Sequence, residues 1–254
     1  MPQEEKLIEI WRLIYESVRK NQLGNHFDKH VEFLRQLNYT ELPDDFFFQR
    51  MVDLIFQSGM RGVVWKTYED EIRKEFCSYN VKKVAKFNDK DVERMLSNPK
   101  MFKHRKKIKA CIHNAKEITK LSEQFGGFSN FIGNNKVPDL IEELKERMKW
   151  MDEINARAFL RYTGCGVMKP DLNVRRVMYR LGLIYSDSAT LKTYEQVQEV
   201  GEKMAKAVGE KVAVIDYTLY MFGSGEFLRH SVCGVKPRCE ECVLRKFCRY
   251  AKKV

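Results

Sequence analysis

Four cysteines near the end of the chain constrain its fold more than any other sequence feature. Cys233, Cys239, Cys242 and Cys248 fall within sixteen residues and are separated by gaps of five, two and five residues. Structural disulfides are one interpretation, but the chain opens with a charged amphipathic run and no secretory leader, and disulfides are rare in a reducing cytosol. The spacing therefore predicts one metal or cluster site. Four thiolates suit tetrahedral zinc or an iron-sulfur cluster equally well.

The charge of the chain indicates a polyanionic partner. The 254 residues carry a formal net charge of +11, and the pI is near 9.2. This balance favours nucleic acid over the alternative of a basic protein without such a partner. No apolar run reaches the roughly 20 residues needed to cross a bilayer. We therefore expect a cytoplasmic protein, associated with the nucleoid in a prokaryotic cell, that has no membrane partner.

Apolar residues recur at helical spacing through most of the chain, and no alternating strand pattern is present. Leu7, Ile10, Ile14 and Val18, for example, form one stripe. The pattern predicts an all-α protein. Two of the predicted helices, 140–150 and 152–162, have almost nothing between them, which is a helix-hairpin-helix outline.

Two basic stretches have more than one interpretation. The run from Lys103 to Ile112 sets a dense basic face on a helix, which is either only solvated or lies along a phosphate backbone. A later helix, 172–181, is predicted to keep Arg175, Arg176 and Arg180 on its outer side.

The segment Lys169-Pro170-Asp171 leads directly into that later helix. Proline fixes the backbone just before the helix. Asp171 is therefore placed either to cap the helix or to project a carboxylate into solvent or a cleft. Three other features of the chain favour a catalytic role for Asp171: a basic helical sequence, a hairpin of helices and a terminal cysteine cluster.

This order of motifs resembles the helix-hairpin-helix DNA glycosylase superfamily, in particular its endonuclease III-like iron-sulfur branch. The resemblance rests on the hairpin, the Pro-Asp loop, the helix Val-Arg-Arg-Val-Met-Tyr-Arg-Leu-Gly-Leu and the tail Lys-Pro-Arg-Cys-Glu-Glu-Cys, and it covers roughly residues 46–250. The stretch 47–131, which contains Phe102, His104 and Lys107, is also similar to 3-methyladenine glycosylases.

The resemblance implies a function for several residues. Asp171 becomes the essential carboxylate, and the four tail cysteines become ligands of a 4Fe-4S cluster, with one structural zinc as the alternative. The residues expected to bind DNA are Lys149, Lys236, Arg238, Arg245 and Lys246. The sequence departs from the family pattern in three ways. The first cysteine gap is five residues instead of six, and the hairpin lacks glycines. Glu153 occupies the position where bifunctional members of the family have a lysine that forms a Schiff base.

These residues predict a monofunctional DNA glycosylase that removes a damaged base, most plausibly an alkylated purine such as 3-methyladenine. The alternatives are excision of oxidised, deaminated or mismatched bases, with or without lyase activity on the abasic site, and a non-catalytic DNA-binding protein with a structural metal. The expected partner is double-stranded DNA with a damaged base, bound by a monomer. Candidates for the base pocket or for the wedge that fills the gap in the duplex are Gln57, Trp65, Tyr68, Met101, Phe102 and Trp150.

The resemblance also implies two lobes. A helical barrel would span residues 46–165, and a second lobe would combine residues 1–45 and 166–254. A cleft between them would have the hairpin and Asp171 at its mouth.

Overall fold

A computed structural model describes residues 3–59 and 62–252 of the chain. These residues form helices and loops without a β-strand, and their isolated antiparallel bridge joins Gln22 to Leu228. In chain order the α-helices are α1 (Gln3–Asn21), α2 (His26–Gln36), α3 (Asp44–Gln57), α4 (Gly62–Glu75), α5 (Val81–Val84), α6 (Asp89–Ser97), α7 (Arg105–Phe125), α8 (Phe128–Gly133), α9 (Val137–Arg147), α10 (Glu153–Thr163), α11 (Leu172–Arg180), α12 (Leu191–Val208) and α13 (Val212–Ser224). Short 3₁₀ helices lie at Tyr39–Glu41, Cys77–Tyr79 and Cys239–Glu241. The all-helical fold class predicted from periodicity is confirmed.

The chain divides into two compact units. The terminal unit combines Met1–Leu37 with Gly164–Val254, and the central unit is Asn38–Thr163. The sequence placed the divisions at 45/46 and 165/166. The first observed division falls earlier because the 3₁₀ helix at Tyr39–Glu41 packs on α8, with the Tyr39 ring 3.7 Å from the position of a Cβ on Gly133.

The core of the central unit is an aromatic cluster between α3, α8 and α10. The Phe47 ring lies 5.2 Å from that of Phe128 and 6.3 Å from that of Phe159, and all three side chains are fully buried. Aromatic rings at these separations attract each other beyond the effect of burial. Helix α7 packs along α3 and α8. These contacts hold α7 against α3 and α8 in the central unit.

The terminal unit is organised around α11 and α13. Helix α13 is buried along nearly its whole length, and it packs closely on α11. Gly223 permits the approach, because a Cβ at this position would come within 2.8 Å of the Asn173 carbonyl oxygen on α11. Within the described residues, no helix combines the length and the apolar character needed to cross a membrane.

Replacing Gly223 by alanine should destabilise the protein. Glycine to alanine inside a helix ordinarily gains up to about 1 kcal/mol, but here the methyl group meets a backbone carbonyl that cannot move freely. We expect a loss of about 1–3 kcal/mol of unfolding free energy, as for other overpacked sites. The measurement is urea unfolding followed by circular dichroism.

Gly133→Ala is the matched control, because a Cβ there meets only the Tyr39 ring at an ordinary 3.7 Å. This variant should be neutral or slightly more stable than the wild type. Equal stability of the two variants would contradict the close packing of α13 on α11.

Candidate active site and cysteine loop

The helix-hairpin-helix predicted from the sequence is formed by α9, the segment 148–152 and α10. Met148 ends α9 with an extended backbone, and Asp152 begins α10 by accepting the N–H of Asn155 at 2.8 Å. An aspartate in this position satisfies one of the free backbone donors of the first helical turn. The hairpin is therefore closed by an ordinary cap at its second helix.

The hairpin turns without glycine, at Trp150, whose φ of +67° lies in the left-handed region. A side chain in this conformation costs roughly 1–2 kcal/mol, so neighbouring contacts must hold it. The Asn114 side chain on α7 provides two of them: its Nδ2 donates to the Lys149 carbonyl at 3.0 Å, and its Oδ1 accepts the Lys149 N–H at 2.7 Å. The Asn155 Nδ2 donates to the Trp150 carbonyl at 3.0 Å. These hydrogen bonds from asparagine side chains hold the turn in a conformation that glycine would adopt without strain. The side chain of Lys149 stays exposed.

Three of the predicted pocket residues lie together in the central unit. The Tyr68 ring is 5.5 Å from the Phe102 ring, the Phe102 ring is 6.2 Å from the His104 ring, and the His104 ring is 5.8 Å from the Trp150 ring. We call these four side chains the aromatic row. The sequence did not predict His104 as a site residue.

Lys107 lies beside the aromatic row and was not predicted as a site residue. It is only 4% exposed, and its Nζ donates to the carbonyls of Phe56 at 3.0 Å and Ser58 at 2.7 Å. The same Nζ lies 5.8 Å from the ring centroids of both Phe102 and Trp150. Burial lowers the pKa of Lys107. The ammonium is stabilised by the carbonyl groups at the C-terminal end of α3, where the helix dipole favours a cation.

The remaining pocket candidates have different surroundings. Gln57 is exposed at the last position of α3, whereas Trp65 and Met101 are buried, with 6% and 2% of their surface exposed. A pocket of about 430 Å³ opens beside the hairpin, and its lining includes Ser58 and Trp150.

Glu153, at the first position of α10, is held by two cations. Its Oε1 accepts from Arg157 Nε at 2.7 Å, and its Oε2 lies 3.3 Å from Lys145 Nζ. This position therefore carries a carboxyl group held between two cationic side chains, and no amine.

Asp171 is the N-cap of α11 in the terminal unit. Its Oδ1 accepts the N–H groups of Asn173 at 2.8 Å and Val174 at 3.1 Å. Its Oδ2 lies 3.8 Å from Lys169 Nζ, which is beyond hydrogen-bond distance. The side chain keeps 16% of its surface exposed. One carboxylate oxygen thus caps the helix, and the other remains accessible.

The prediction that the arginines of α11 face outward is wrong. Arg175, Arg176 and Arg180 are each only 8% exposed. Arg175 Nη1 donates to the Pro170 carbonyl at 2.6 Å, while Arg176 Nε and Arg180 Nη1 donate to the Cys233 carbonyl at 3.3 and 3.2 Å. A buried guanidinium is tolerated when carbonyls take up its donors, and its planar fork suits several at once. Burial lowers the pKa of Arg176, and the neighbouring Arg180 lowers it further.

The cysteine loop is attached to α11 through Arg180. Arg180 Nη1 lies 3.5 Å from Cys233 Sγ, and Cys248 Sγ donates to the Arg180 carbonyl at 3.3 Å. Burial, with smaller contributions from the nearby cysteines 233, 248 and 239, raises the pKa of the Cys242 thiol to about 11, against the lowering effect of a backbone hydrogen bond from Leu244. Burial also raises the pKa of Cys233, against the lowering effect of Arg180. Cys233 and Cys248 are buried, and Cys239 and Cys242 are half-buried.

The four thiols are close enough to influence each other electrostatically, but they are not gathered around one ion. Among the described residues, no three or more of the His, Cys, Asp and Glu side chains are placed to hold a metal ion.

The predicted DNA-binding cations of the tail are exposed, and two of them are paired. Arg238 donates to Glu241 at 2.6 Å, and Lys246 lies 2.5 Å from Glu9, whereas Lys236 and Arg245 are exposed to solvent. Exposed pairs of this kind contribute little to stability and are weakened by salt.

The basic face of α7 is likewise partly neutralised, by α6. Arg105 pairs with Glu93, and Lys109 lies 2.8 Å from Asp89. Of the two interpretations of this basic run, these contacts favour a solvated, ion-paired helix face at these two positions.

Comparisons with solved structures define the class of the fold. The 8-oxoguanine DNA glycosylase of Thermotoga maritima superposes with a TM-score of 0.57 at 22% identity, over 89% of this chain and 100% of that chain. The 8-oxoguanine glycosylase/lyase of Methanocaldococcus jannaschii, solved with DNA that contains 8-oxoguanine, gives a TM-score of 0.58 at 15% identity, over 87% and 100%. The chain shares the fold of these two DNA glycosylases, which agrees with the fold that the sequence predicted.

A finer match covers the central unit. The model of the methyladenine glycosylase family matches residues 40–159. The DNA-3-methyladenine glycosylase of Haemophilus influenzae is 29% identical over 104 residues, which cover 36% of this chain and 56% of that relative. The chain thus spans little more than half the length of this curated relative. The part that matches contains the hairpin and the aromatic row.

Replacing Asn114 by alanine should open the hairpin. The change leaves the N–H and the carbonyl of Lys149 without their side-chain partner, and an unsatisfied buried polar group costs about 1–3 kcal/mol. We expect a loss of that size in the unfolding free energy, measured by urea denaturation.

Asn130→Ala is the control, because the Asn130 side chain donates only to exposed carbonyls of Phe125 and Gly126. It should change the stability by less than about 0.5 kcal/mol. Equal losses in the two variants would show that Asn114 does not hold the hairpin.

Proposed function

We propose that the protein is a monofunctional DNA glycosylase of base excision repair, which hydrolyses the N-glycosidic bond of a flipped damaged base. The observation that carries the proposal is the arrangement of Asp171. One of its oxygens is fixed on the end of α11, while the other is accessible and lies beyond hydrogen-bond distance of Lys169. The fold supports the same class of enzyme.

The chemistry follows from what the reaction requires. As the base departs, the sugar approaches an oxocarbenium ion, and a carboxylate near C1′ stabilises the developing positive charge. The same oxygen orients the attacking water and accepts its proton. Because capping employs only Oδ1, Asp171 Oδ2 is available for this role without any loss of the helix cap.

Glu153 supports the assignment to the monofunctional class. A lyase of this superfamily attacks the sugar with a lysine amine, whereas Glu153 places a carboxylate between Arg157 and Lys145. A carboxylate cannot form a Schiff base. The product we propose is therefore a free base and an intact abasic strand.

The proposed substrate class is an alkylated purine such as 3-methyladenine. The family match over residues 40–159 and the Haemophilus influenzae relative support it. The aromatic row offers ring faces for an electron-poor base, and a cationic base is attracted to such faces. An alkylated purine already carries positive charge, so it departs without a strong proton donor.

An oxidised or deaminated base is the second candidate, favoured by Lys107. Two of the three N–H groups of its ammonium are taken by the carbonyls of Phe56 and Ser58. A remaining N–H near the rings of Phe102 and Trp150 would donate to a carbonyl oxygen of such a base, whereas it would repel a cation. Release rates from methylated, oxidised and deaminated duplexes decide between the two classes.

Asp171→Asn should abolish excision and leave DNA binding intact. Asparagine caps helices as well as aspartate does, so the fold is preserved while the negative charge is lost. We expect the single-turnover rate to fall by at least about 100-fold, with a dissociation constant for lesion duplex close to that of the wild type.

Asp187→Asn is the matched control for that measurement, since it removes another carboxylate of the same unit while keeping the backbone carbonyl that accepts from Arg175, and it should keep the wild-type rate. Turnover that survives in Asp171→Asn would reduce Asp171 to a helix cap. A wild type that binds lesion duplex and excises no base would instead support the non-catalytic alternative.

We also propose that Cys233, Cys239, Cys242 and Cys248 hold a 4Fe-4S cluster. Four soft thiol donors within sixteen residues suit the ligand set of a 4Fe-4S cluster. When bound, the cluster would serve as a structural crosslink of the C-terminal loop. Arg180 would stabilise the Cys233 thiolate, in the way that hydrogen bonds to metal ligands commonly do. The proposed DNA contacts Lys149, Lys236, Arg238, Arg245 and Lys246 would then bind phosphates, and affinity would fall with salt.

Arg180→Met should impair the cysteine loop. It removes the donor to Cys233 Sγ and to the carbonyls of Cys233 and Gly234. Protein purified without oxygen should contain about four irons per chain in the wild type and clearly less in Arg180→Met, with a lower melting temperature.

Arg245→Met, at an exposed position of the same loop, is the control and should keep the wild-type iron content. Equal iron contents in all three proteins would contradict the proposal that Arg180 stabilises the cluster. A colourless wild type with one zinc would contradict the cluster itself.

A further inference from the structure

The loop 166–171, which delivers Asp171 to α11, is anchored by three buried side chains. Its buried side chains are Val167, Met168 and Pro170. Met168 lies directly over Gly201 of α12, where a Cβ would come within 2.5 Å of the Met168 Sδ. The buried side chains hold the loop against the unit, while Lys169 and Asp171 stay partly exposed.

Gln198 on α12 binds the backbone of this loop at two points. Its Oε1 accepts the N–H of Met168 at 2.8 Å, and its Nε2 donates to the carbonyl of Gly166 at 2.9 Å. The Nε2 also donates to Glu202 at 2.8 Å. This third contact fixes which end of the amide faces which backbone group. A two-point contact from one side chain defines the position of the backbone and also its orientation.

Asp216 on α13 binds the next residue of the loop. It is 1% exposed in a helix whose other buried residues are almost all uncharged, and its Oδ1 accepts the N–H of Lys169 at 2.6 Å. A carboxylate is costly to bury unless hydrogen bonds replace its hydration. The short hydrogen bond from Lys169 replaces part of that hydration, and it ties the loop backbone to α13.

Two further hydrogen bonds carry this constraint to Asp171. The N–H of Asp171 donates to the carbonyl of Lys169 at 2.8 Å, and Arg175 Nη1 donates to the carbonyl of Pro170 at 2.6 Å. The loop therefore reaches Asp171 with the amide of each residue from 168 to 171 either in a hydrogen bond or, at Pro170, locked by the ring.

We propose that Gln198 and Asp216 are positioning residues for Asp171. They hold the backbone of the loop so that Asp171 Oδ1 stays on the N–H groups of Asn173 and Val174 and Oδ2 stays accessible. The inference rests on the proposed function for its effect on catalysis. It assigns neither residue a contact with DNA.

The first test is kinetic. Gln198→Met removes both backbone contacts at a half-buried position, and Asp216→Leu removes the acceptor for Lys169. Each should slow single-turnover excision by about 100-fold, the loss expected when a reacting group is misplaced by about 1 Å, with the dissociation constant for lesion duplex changed less than about threefold. Excision at the wild-type rate in both variants would overturn the inference.

Conservative variants separate position from charge. Asp216→Asn keeps a carbonyl oxygen for the Lys169 N–H and should retain most of the rate that Asp216→Leu loses. Glu202→Gln touches only the side chain of Gln198 and should match the wild type. A rate in Asp216→Asn as low as in Asp216→Leu would contradict a positioning role through this hydrogen bond. Because Gln198 lies on the surface side of α12, the test stands even when Asp216→Leu does not fold.

The second test needs no substrate and therefore stands apart from the proposed function. Hydrogen exchange resolved at single amides, in free protein, reports the Asp171 cap through Asn173 and Val174. These two amides should exchange at least about tenfold faster in Gln198→Met than in the wild type, as expected for a locally loosened segment. Unchanged exchange would overturn the inference. A wild type that excises no lesion, with faster exchange in the variant, would instead overturn only the proposed function.

Discussion

The terminal unit depends on the buried guanidinium groups of α11. Arg175 donates a hydrogen bond to the Pro170 carbonyl just before the helix. Arg176 donates to the Gly223 carbonyl at the end of α13. Arg180 donates to the carbonyls of Cys233 and Gly234. Backbone carbonyls that leave water must find donors, and an arginine supplies up to five in a fixed geometry. One short helix thereby joins the Asp171 loop, α13 and the cysteine loop. The candidate catalytic carboxylate and the candidate cluster ligands are held by the same element.

The hairpin of the central unit meets a similar need with asparagine instead of arginine. Trp150 adopts a left-handed backbone that glycine would adopt without cost. Asn114 and Asn155 hold the carbonyls and the N–H on either side of the turn. The Trp150 ring thereby keeps its place in the aromatic row beside Lys107. A tryptophan in the hairpin contributes a ring that a glycine could not.

Local sequence signals predicted the features that depend on neighbours in the chain. Helical periodicity predicted the all-helical class. Pro170 followed by Asp171 marked the start of α11, because a helix cap is decided within a few residues. The hairpin between α9 and α10 was visible from the absence of a connecting segment.

Features that depend on distant partners could not be read from the sequence. The arginines of α11 have the spacing of a solvated helix face, which is why they were predicted to be exposed. They are buried because Arg176 and Arg180 donate to the carbonyl of Cys233, which is distant in the chain. Asn114, Gln198 and Asp216 each bind a backbone group from another element, and nothing in their own surroundings in the chain indicates it. In the sequence, Lys107 belongs to a run of basic residues and has no feature that distinguishes it. In the structure it is buried, and its ammonium group donates to a carbonyl near the end of α3.

The most direct test of the account is the release of free bases from duplex DNA treated with a methylating agent. Purified protein would be incubated with this DNA, and the released bases would be separated and identified by mass spectrometry beside untreated, oxidised and deaminated duplexes. The account predicts release of an alkylated purine such as 3-methyladenine, with the abasic strand left intact. No base released from any of these duplexes, by protein that binds them, would contradict it.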